Sequence, residues 1–179
     1  MAHYDITYTC GHEETIELFG KVSERERRIE WLESQPCVEC ARKESIDQAQ
    51  SRLDACIEEI KAKDDDAWQS VQKIIEAAET QLDGSLKQVS WASEIRLDCM
   101  SQLVGRVRLA VTDPHAPTDP QSRANFRENL RAIACTVAGN TKAAWWIDNR
   151  RSIAAAVMHE AHKAAARARA LYEQDGAAQ

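Results

Sequence analysis

Two short pairs of metal-binding residues near the N-terminus constrain the fold of this chain more than any other feature. Cys10 and His12 flank Gly11, and Cys37 and Cys40 follow after a spacer of 24 residues. Three thiolates and one imidazole form the tetrahedral ligand set that Zn²⁺ prefers, and two tight turns can close such a site without a large hydrophobic core. The spacing predicts a zinc site that is structural, because no coordination position stays open for water or substrate.

The residues themselves leave alternatives to this assignment. The first pair has one intervening residue and a histidine, whereas the common zinc pattern has two Cys-x-x-Cys pairs. Glu13 is therefore an alternative to His12 as the fourth ligand. The cysteines could also be ordinary reduced thiols with no metal.

The segments around the ligand pairs predict a small hairpin and a helix. Residues 3–9 and 15–19 are rich in β-formers and flank the first pair. Ser23 and Glu26 form a capping-box pattern that predicts a helix over 24–34, and Pro36 precedes the second pair. We expect residues 1–44 to be a zinc-ribbon or treble-clef-like module.

Composition predicts that the rest of the chain is helical. The 179 residues include only six glycines and four prolines, and helix-favouring residues dominate after residue 44. We expect a mainly α protein, in which the small zinc-bound β-hairpin and helix module precedes a long helix and a helical-bundle-like body. With no run of 18 apolar residues and no signal-peptide pattern, we expect no membrane association and a cytoplasmic location.

The segment 45–83 has a single amphipathic stripe. Its apolar positions are Ile46, Ala49, Leu53, Cys56, Ile60, Ala67, Val71, Ile74, Ala78 and Leu82. Most are three or four residues apart, which predicts a long amphipathic helix. If this helix is continuous, it is about 57 Å long, with a shift of register near the aspartate run at 64–66. Such a helix suits a coiled-coil arm, one side of a bundle, or pairing with a second copy as a homodimer.

Three further helices are predicted between residues 84 and 175. Ser85 and Gln88 form a capping box that opens the first of them. The segment 112–121 contains three prolines, which is typical of a loop and hinge. Asp119 caps the next helix with Pro120 at its first position, and Thr141 begins a last helix.

The remaining cysteines and histidines are weaker candidates for metal binding. Cys56, Cys99 and Cys135 lie in helical segments, where we expect buried, reduced thiols rather than disulfides, consistent with a reducing compartment. His159 and His162 are three residues apart, not four as in the metalloprotease motif. They could bind a second metal, but solvated helix histidines are the favoured interpretation.

Charge is distributed unevenly around the formal net charge of −6. Residues 1–44 carry −4, residues 45–83 carry −6 and residues 84–179 carry +4. The acidic segments exclude binding of phosphate there, and +4 is weak for a dedicated nucleic-acid-binding domain. A protein partner is at least as consistent with this distribution.

Two surface clusters are candidate partner-binding sites. Trp145 and Trp146 precede Arg150 and Arg151, and tryptophan with arginine is the combination that interfaces favour. Adjacent tryptophans on a helix point about 100° apart, so only one can face the core. The second cluster is the aspartate run Asp64, Asp65 and Asp66, for which a solvated bend is the alternative.

Several motifs together resemble a known group of proteins. They are Cys10-Gly11-His12, Leu18-Phe19-Gly20-Lys21, the stretch 25–32, Gly84-Ser85-Leu86-Lys87-Gln88-Val89-Ser90-Trp91-Ala92, Ile95-Arg96 and Ala144-Trp145-Trp146-Ile147-Asp148-Asn149-Arg150. The chain is similar in these motifs to uncharacterised zinc-ribbon-like proteins of phages, plasmids and other mobile elements. The resemblance implies a zinc-binding N-terminus and a mobile-element setting, but it assigns no activity to particular residues. The segment 45–83 departs from the family pattern.

Three functions are compatible with these sequence features. The first is a non-enzymatic interaction protein that binds a host nuclease, a defence complex or replication machinery, for example as an anti-CRISPR-like inhibitor whose acidic segment mimics nucleic acid. The second is direct DNA or RNA binding through the zinc module and the basic residues Arg150, Arg151, Arg167 and Arg169. A metal-dependent hydrolase is the weakest, because a saturated site has no open position and no catalytic motif is present.

Overall fold

The computed structural model describes the backbone of residues 2–176 and the side chains of residues 2–167. Its elements are β1 (Ala2–Thr7), β2 (Glu13–Leu18), α1 (Val22–Glu33), α2 (Val38–Lys63), α3 (Asp65–Ala78), α4 (Leu86–Thr112), α5 (Pro120–Gly139), α6 (Ala143–Asp148), a 3₁₀ turn (Arg150–Ser152) and α7 (Ile153–Gly176). The predicted class, mainly α with an N-terminal hairpin, is confirmed. None of the helices within the described residues has the length and apolar character that crossing a bilayer requires.

The chain forms two compact units, which we call unit 1 (Met1–Gln48) and unit 2 (Ala49–Gln179). The division falls inside α2. The predicted three-part division at residues 44 and 83 stays a prediction; most of 45–83 lies in unit 2.

Unit 1 consists of the β1–β2 hairpin, α1 and the first turns of α2. The two strands pair antiparallel, from Ala2 opposite Leu18 to Thr7 opposite Glu13, and α1 packs against β1. Within residues 2–48 only Ile6 and Tyr8 are buried. Two side chains are far fewer than a domain core normally needs, so hydrophobic burial alone does not account for the stability of unit 1.

Unit 2 has a continuous hydrophobic core. Helices α3, α4, α5 and α7 pack against one another, and α6 packs on α4. Trp146 is fully buried at the centre, where its indole Nε1 donates to the Asn140 carbonyl oxygen over 2.8 Å. A short parallel bridge between Asp83 and Lys142 joins the loop after α3 to the start of α6.

The helix predicted across 45–83 is interrupted at Asp64. This residue has an extended backbone (φ −152°, ψ 104°), and its carboxylate accepts a hydrogen bond from the Ala67 N–H at 3.0 Å. A short polar side chain in that position is a strong helix N-cap, and it starts a new helix rather than continuing the old one. The helical segment is therefore not continuous, and the break lies where the sequence predicts a shift of register.

The last predicted helix is also divided. Asn149 ends α6, its side-chain amide donates to the Trp145 carbonyl oxygen, and a 3₁₀ turn precedes α7. At the start of α1 the cap is Lys21, whose N–H donates to Glu24 at 3.3 Å, so the predicted Ser23 and Glu26 box is wrong. The caps predicted at Ser85 and Asp119 are confirmed.

Candidate metal centre

The first ligand pair lies in the turn that joins β1 to β2. The Tyr8 N–H donates to the His12 carbonyl oxygen at 3.0 Å, and the Gly11 N–H donates to the Tyr8 carbonyl oxygen at 2.9 Å. Gly11 has a φ of +78°, in the left-handed region that favours glycine. This tight turn brings the side chains of Cys10 and His12 to the same side.

The second pair lies at the N-terminus of α2. Cys37 immediately precedes the helix, and Cys40 is in its first turn, so both sulfurs lie near free backbone N–H groups and the positive end of the helix dipole. The Cys40 N–H donates to the Cys37 sulfur at 3.4 Å, in the manner of a capping bond. The thiolate is the form of cysteine that binds metals.

Two backbone contacts connect the two ligand pairs. The Cys37 N–H donates to the Cys10 sulfur at 3.2 Å, and the Thr9 N–H donates to the Gln35 carbonyl oxygen at 3.1 Å. The turn of the hairpin is thereby held beside the start of α2. Ligand pairs that are separated by 24 residues in the chain meet at one point.

The three nitrogen–sulfur separations match those of a zinc coordination tetrahedron. The Nδ1 atom of His12 lies 3.4 Å from the Cys10 sulfur, 3.6 Å from the Cys37 sulfur and 3.4 Å from the Cys40 sulfur. Zinc bond lengths of about 2.3 Å to sulfur and 2.0–2.1 Å to nitrogen place sulfur and nitrogen about 3.5 Å apart in a regular tetrahedron. One ring nitrogen has a single proton or a single lone pair, so it cannot form three hydrogen bonds in this arrangement.

All four ligand atoms lie within 4.8 Å of one another, close enough to bind one metal ion. Glu13 is not part of the cluster, which leaves His12 as the fourth ligand. The predicted set of Cys10, His12, Cys37 and Cys40 is thus brought together at one place.

The thiols of the cluster do not ionise equally. The Cys37 N–H, followed by the His12 backbone, lowers the pKa of Cys10 to about 6. The Cys37 side chain, burial and the Cys10 charge raise the pKa of Cys40 to about 11. Negative charge on Cys10 opposes the ionisation of Cys40, and a bound divalent cation would remove that cost.

The predicted tryptophan and arginine cluster is divided between core and surface. Trp146 belongs to the core of unit 2, whereas Trp145 is half-buried and contacts it edge-on, with ring centroids 5.2 Å apart. Arg150 lies over the Trp91 ring at 5.4 Å and also donates to the Ile147 carbonyl oxygen. Arg151 is exposed, so the surface part of this cluster is Trp91, Trp145 and the two arginines.

The aspartate run has local structural roles. Asp64 is the N-cap of α3, Asp65 accepts a hydrogen bond from Gln69 at 3.1 Å, and Asp66 forms an ion pair with Arg127 at 2.9 Å. The solvated bend, which was the alternative interpretation of the sequence, describes this segment well. Negative charge at the first turn of a helix is also favourable to its dipole.

The other candidate ligands remain apart. No second metal cluster occurs among the described residues, and His159 and His162 are exposed. Among the three remaining cysteines, Cys99 is buried, Cys56 is half-buried and Cys135 is exposed. Arg167 is exposed, and the side chain of Arg169 lies outside the described residues.

An exposed pair on α1 was not identified from the sequence. Arg28 lies 4.3 Å from the ring centroid of Trp31, and Trp31 is 51% exposed. The spacing of three residues on a helix is a signal that could have found this pair.

Comparison with models of known families, with curated proteins and with solved structures finds no match. The geometry of the site is therefore the basis for its chemistry.

Proposed function

We propose that this chain is a non-enzymatic zinc-binding interaction protein, in which the metal holds a small module that contacts another protein. The observation that carries the proposal is the Cys₃His cluster of unit 1, whose four ligand atoms lie close enough to bind one metal ion. Soft thiolates with one imidazole in a tetrahedron suit zinc, whereas magnesium and calcium prefer oxygen ligands.

A structural role for zinc follows from the ligand count. Catalytic zinc sites keep a position for water or substrate, and four protein ligands here leave none. Unit 1 buries only Ile6 and Tyr8 in the described range 2–48, so it needs a link that a hydrophobic core does not supply. Thiolate ligands also require reducing conditions, which supports a cytoplasmic location in the host cell.

A role in protein binding is supported by the exposed surface of unit 1. Phe19, Val22, Trp31 and Val38 are all exposed large apolar side chains, so this unit exposes more such residues than it buries. The Arg28 and Trp31 pair has the composition of an interface hot spot. We place this surface, held by the metal, at the centre of the interaction.

For the partner we propose a host protein that handles nucleic acid, such as a nuclease, a defence complex or replication machinery. The net charge of −6 over 45–83 favours approach to a basic groove, and the motif resemblance to mobile-element proteins gives the setting. Two of these negative charges are paired with cations outside the segment, Glu59 with Arg108 and Asp66 with Arg127. Inhibition in the manner of an anti-CRISPR protein is the concrete form of this proposal.

Affinity purification from the native host tests the proposal. Wild-type protein is expected to capture a nucleic-acid-handling protein, and Trp31→Ala is expected to lose it while keeping the metal. Leu109→Ala removes an equally exposed apolar side chain from unit 2 and serves as the matched control. If Trp31→Ala and Leu109→Ala capture the same proteins as wild type, unit 1 is not the binding surface.

Direct nucleic-acid binding is the second candidate, supported by the exposed Trp31 ring beneath Arg28. An aromatic ring beside a cation is a stacking platform for unpaired bases. Because phosphate contacts release counterions, this function requires an affinity for single-stranded DNA or RNA that falls steeply with salt. A mobility shift that is absent at low salt excludes it.

A further inference from the structure

Unit 2 contains a cavity that the metal site does not involve. It lies between α4, α5 and α7 and has a volume of about 170 Å³. Its apolar lining includes Leu103, Val107, Phe126, Leu130, Ile133 and Met158. A dry cavity of about 150 Å³ with a lining of this kind is large enough to hold a benzene ring.

A cation lies at the same cavity without a carboxylate partner. Arg106 is exposed and lines the cavity, and its Nη1 atom is 3.4 Å from the Met158 sulfur. A thioether is a weak acceptor, and no ion pair of Arg106 occurs among the side chains that the structure describes. By contrast, Arg108, two residues along the same helix, is paired with Glu59.

The other polar groups of the lining are Asn129 and His162. Both can donate a hydrogen bond, and neither supplies a negative charge. A ligand that suits the cavity therefore combines an apolar body of about one ring with an anionic group that reaches Arg106.

We propose that this cavity binds a small monocarboxylic acid with one aromatic ring or a short alkyl chain. The apolar body lies among Leu103, Phe126 and Ile133, and the carboxylate is bound by the Arg106 guanidinium. This inference does not depend on the metal site or on the proposed protein partner, because all of its residues belong to unit 2.

Titration of the full-length protein with phenylacetate and with hexanoate, followed by isothermal calorimetry and protein-detected NMR, tests the proposal. Phenylacetamide has the same ring and nearly the same shape without the charge. We expect at least one acid to bind with shifts at Phe126 and Ile133, and phenylacetamide to bind about tenfold more weakly. Equal binding of acid and amide overturns the anionic specificity, and no binding of either acid at millimolar concentration overturns the site.

Two variants and a control locate the binding. Arg106→Gln is expected to weaken acid binding about tenfold and to leave amide binding unchanged, because it removes the guanidinium charge and leaves the apolar lining intact. Ala132→Leu adds volume to the lining and is expected to reduce binding of both probes. Arg131→Gln removes an exposed charge from α5 outside the lining and should change neither.

These variants also define contrary outcomes. If Arg131→Gln weakens acid binding as much as Arg106→Gln does, the effect is one of net charge and the proposed site is wrong. If acid binding persists in Ala132→Leu, the ligand lies elsewhere. Thermal midpoints of all variants establish that each is folded at the temperature of the titration.

Discussion

Arg96 lies in the core of unit 2 with only 5% of its surface exposed. Its Nη1 atom donates to the carbonyl oxygens of Ala78 and Thr80, both at 2.6 Å, and its guanidinium lies 5.0 Å from the Trp146 ring centroid. The charge thus satisfies carbonyl groups at the C-terminal end of α3, where the helix dipole is negative.

Replacement of Arg96 is expected to destabilise the folded state of unit 2. Arg96→Met should lower the free energy of unfolding by about 2–4 kcal/mol, because two charge-assisted hydrogen bonds are lost and two part-buried carbonyls are left without this donor. Urea unfolding followed by tryptophan fluorescence measures the change. Arg131→Met, an exposed arginine, is the control, and an equal effect of the two variants would contradict the role given to Arg96.

Gly11 and Gly105 both have space for a Cβ atom, so they differ in backbone conformation and not in steric room. A Cβ atom would meet nothing within 4 Å at either Gly11 or Gly105, but only Gly11 has a positive φ. Gly11→Ala is expected to lower the free energy of unfolding by about 1–2 kcal/mol. It should also weaken metal affinity about tenfold, which competition with a chromophoric chelator measures. Gly105→Ala, in the interior of α4, should instead stabilise the protein by up to about 1 kcal/mol. Similar losses in both variants would refute the backbone explanation.

At the scale of helices, the N-cap of α5 makes a pH-dependent contribution to the free energy of unfolding. The Ser122 N–H donates to Asp119 at 2.9 Å, and this bond holds the pKa of that carboxyl below its usual value. The folded state therefore favours the anion, so the contribution is present at neutral pH and is lost as pH falls through the unfolded pKa of about 4 towards the folded value.

Asp119→Asn tests this contribution, because asparagine caps the helix without titrating. Denaturant unfolding from pH 7 to pH 3 should show that the wild type loses its advantage over the variant as the pH falls. A difference that is independent of pH would mean that the charge of Asp119 contributes nothing.

The elements also show which parts of the fold the sequence can predict. The helix caps at Ser85 and Asp119 were predicted correctly, because the residue that accepts the capping hydrogen bond can be recognised in the sequence. The break at Asp64 was predicted only as a shift of register or a bend, since apolar residues keep a helical spacing on both sides of it. The structure shows that Asp64 begins a new helix as the N-cap of α3.

The metal cluster was predictable because its chemistry needs particular residues at particular spacings. The backbone donors from Cys37 and Cys40 to sulfur were not, because every residue has an N–H and only the fold selects which of them point at a thiolate. Burial of Trp146 rather than Trp145 likewise depends on the rotation of α6 within the core of unit 2.

At the scale of the whole molecule, the two units are expected to respond differently to loss of the metal. Cys37→Ser should unfold unit 1 because its described residues bury only two side chains, whereas the core of unit 2 contains none of the ligands. Hydrogen exchange should rise to the unprotected rate in 2–37 and stay unchanged in α4, α5 and α6. Cys135→Ser, an exposed thiol outside the cluster, is the control. Protection of the hairpin in Cys37→Ser would show that unit 1 folds without the site.

The zinc content of the purified chain tests the central claim most directly. Protein prepared under reducing conditions should contain one zinc ion per chain by native mass spectrometry and elemental analysis. Cys40→Ser should lose the ion and Cys135→Ser should retain it. A wild-type chain that takes up no zinc when one equivalent is added, or a Cys40→Ser variant that retains it as tightly as wild type, would contradict the structural role of the metal.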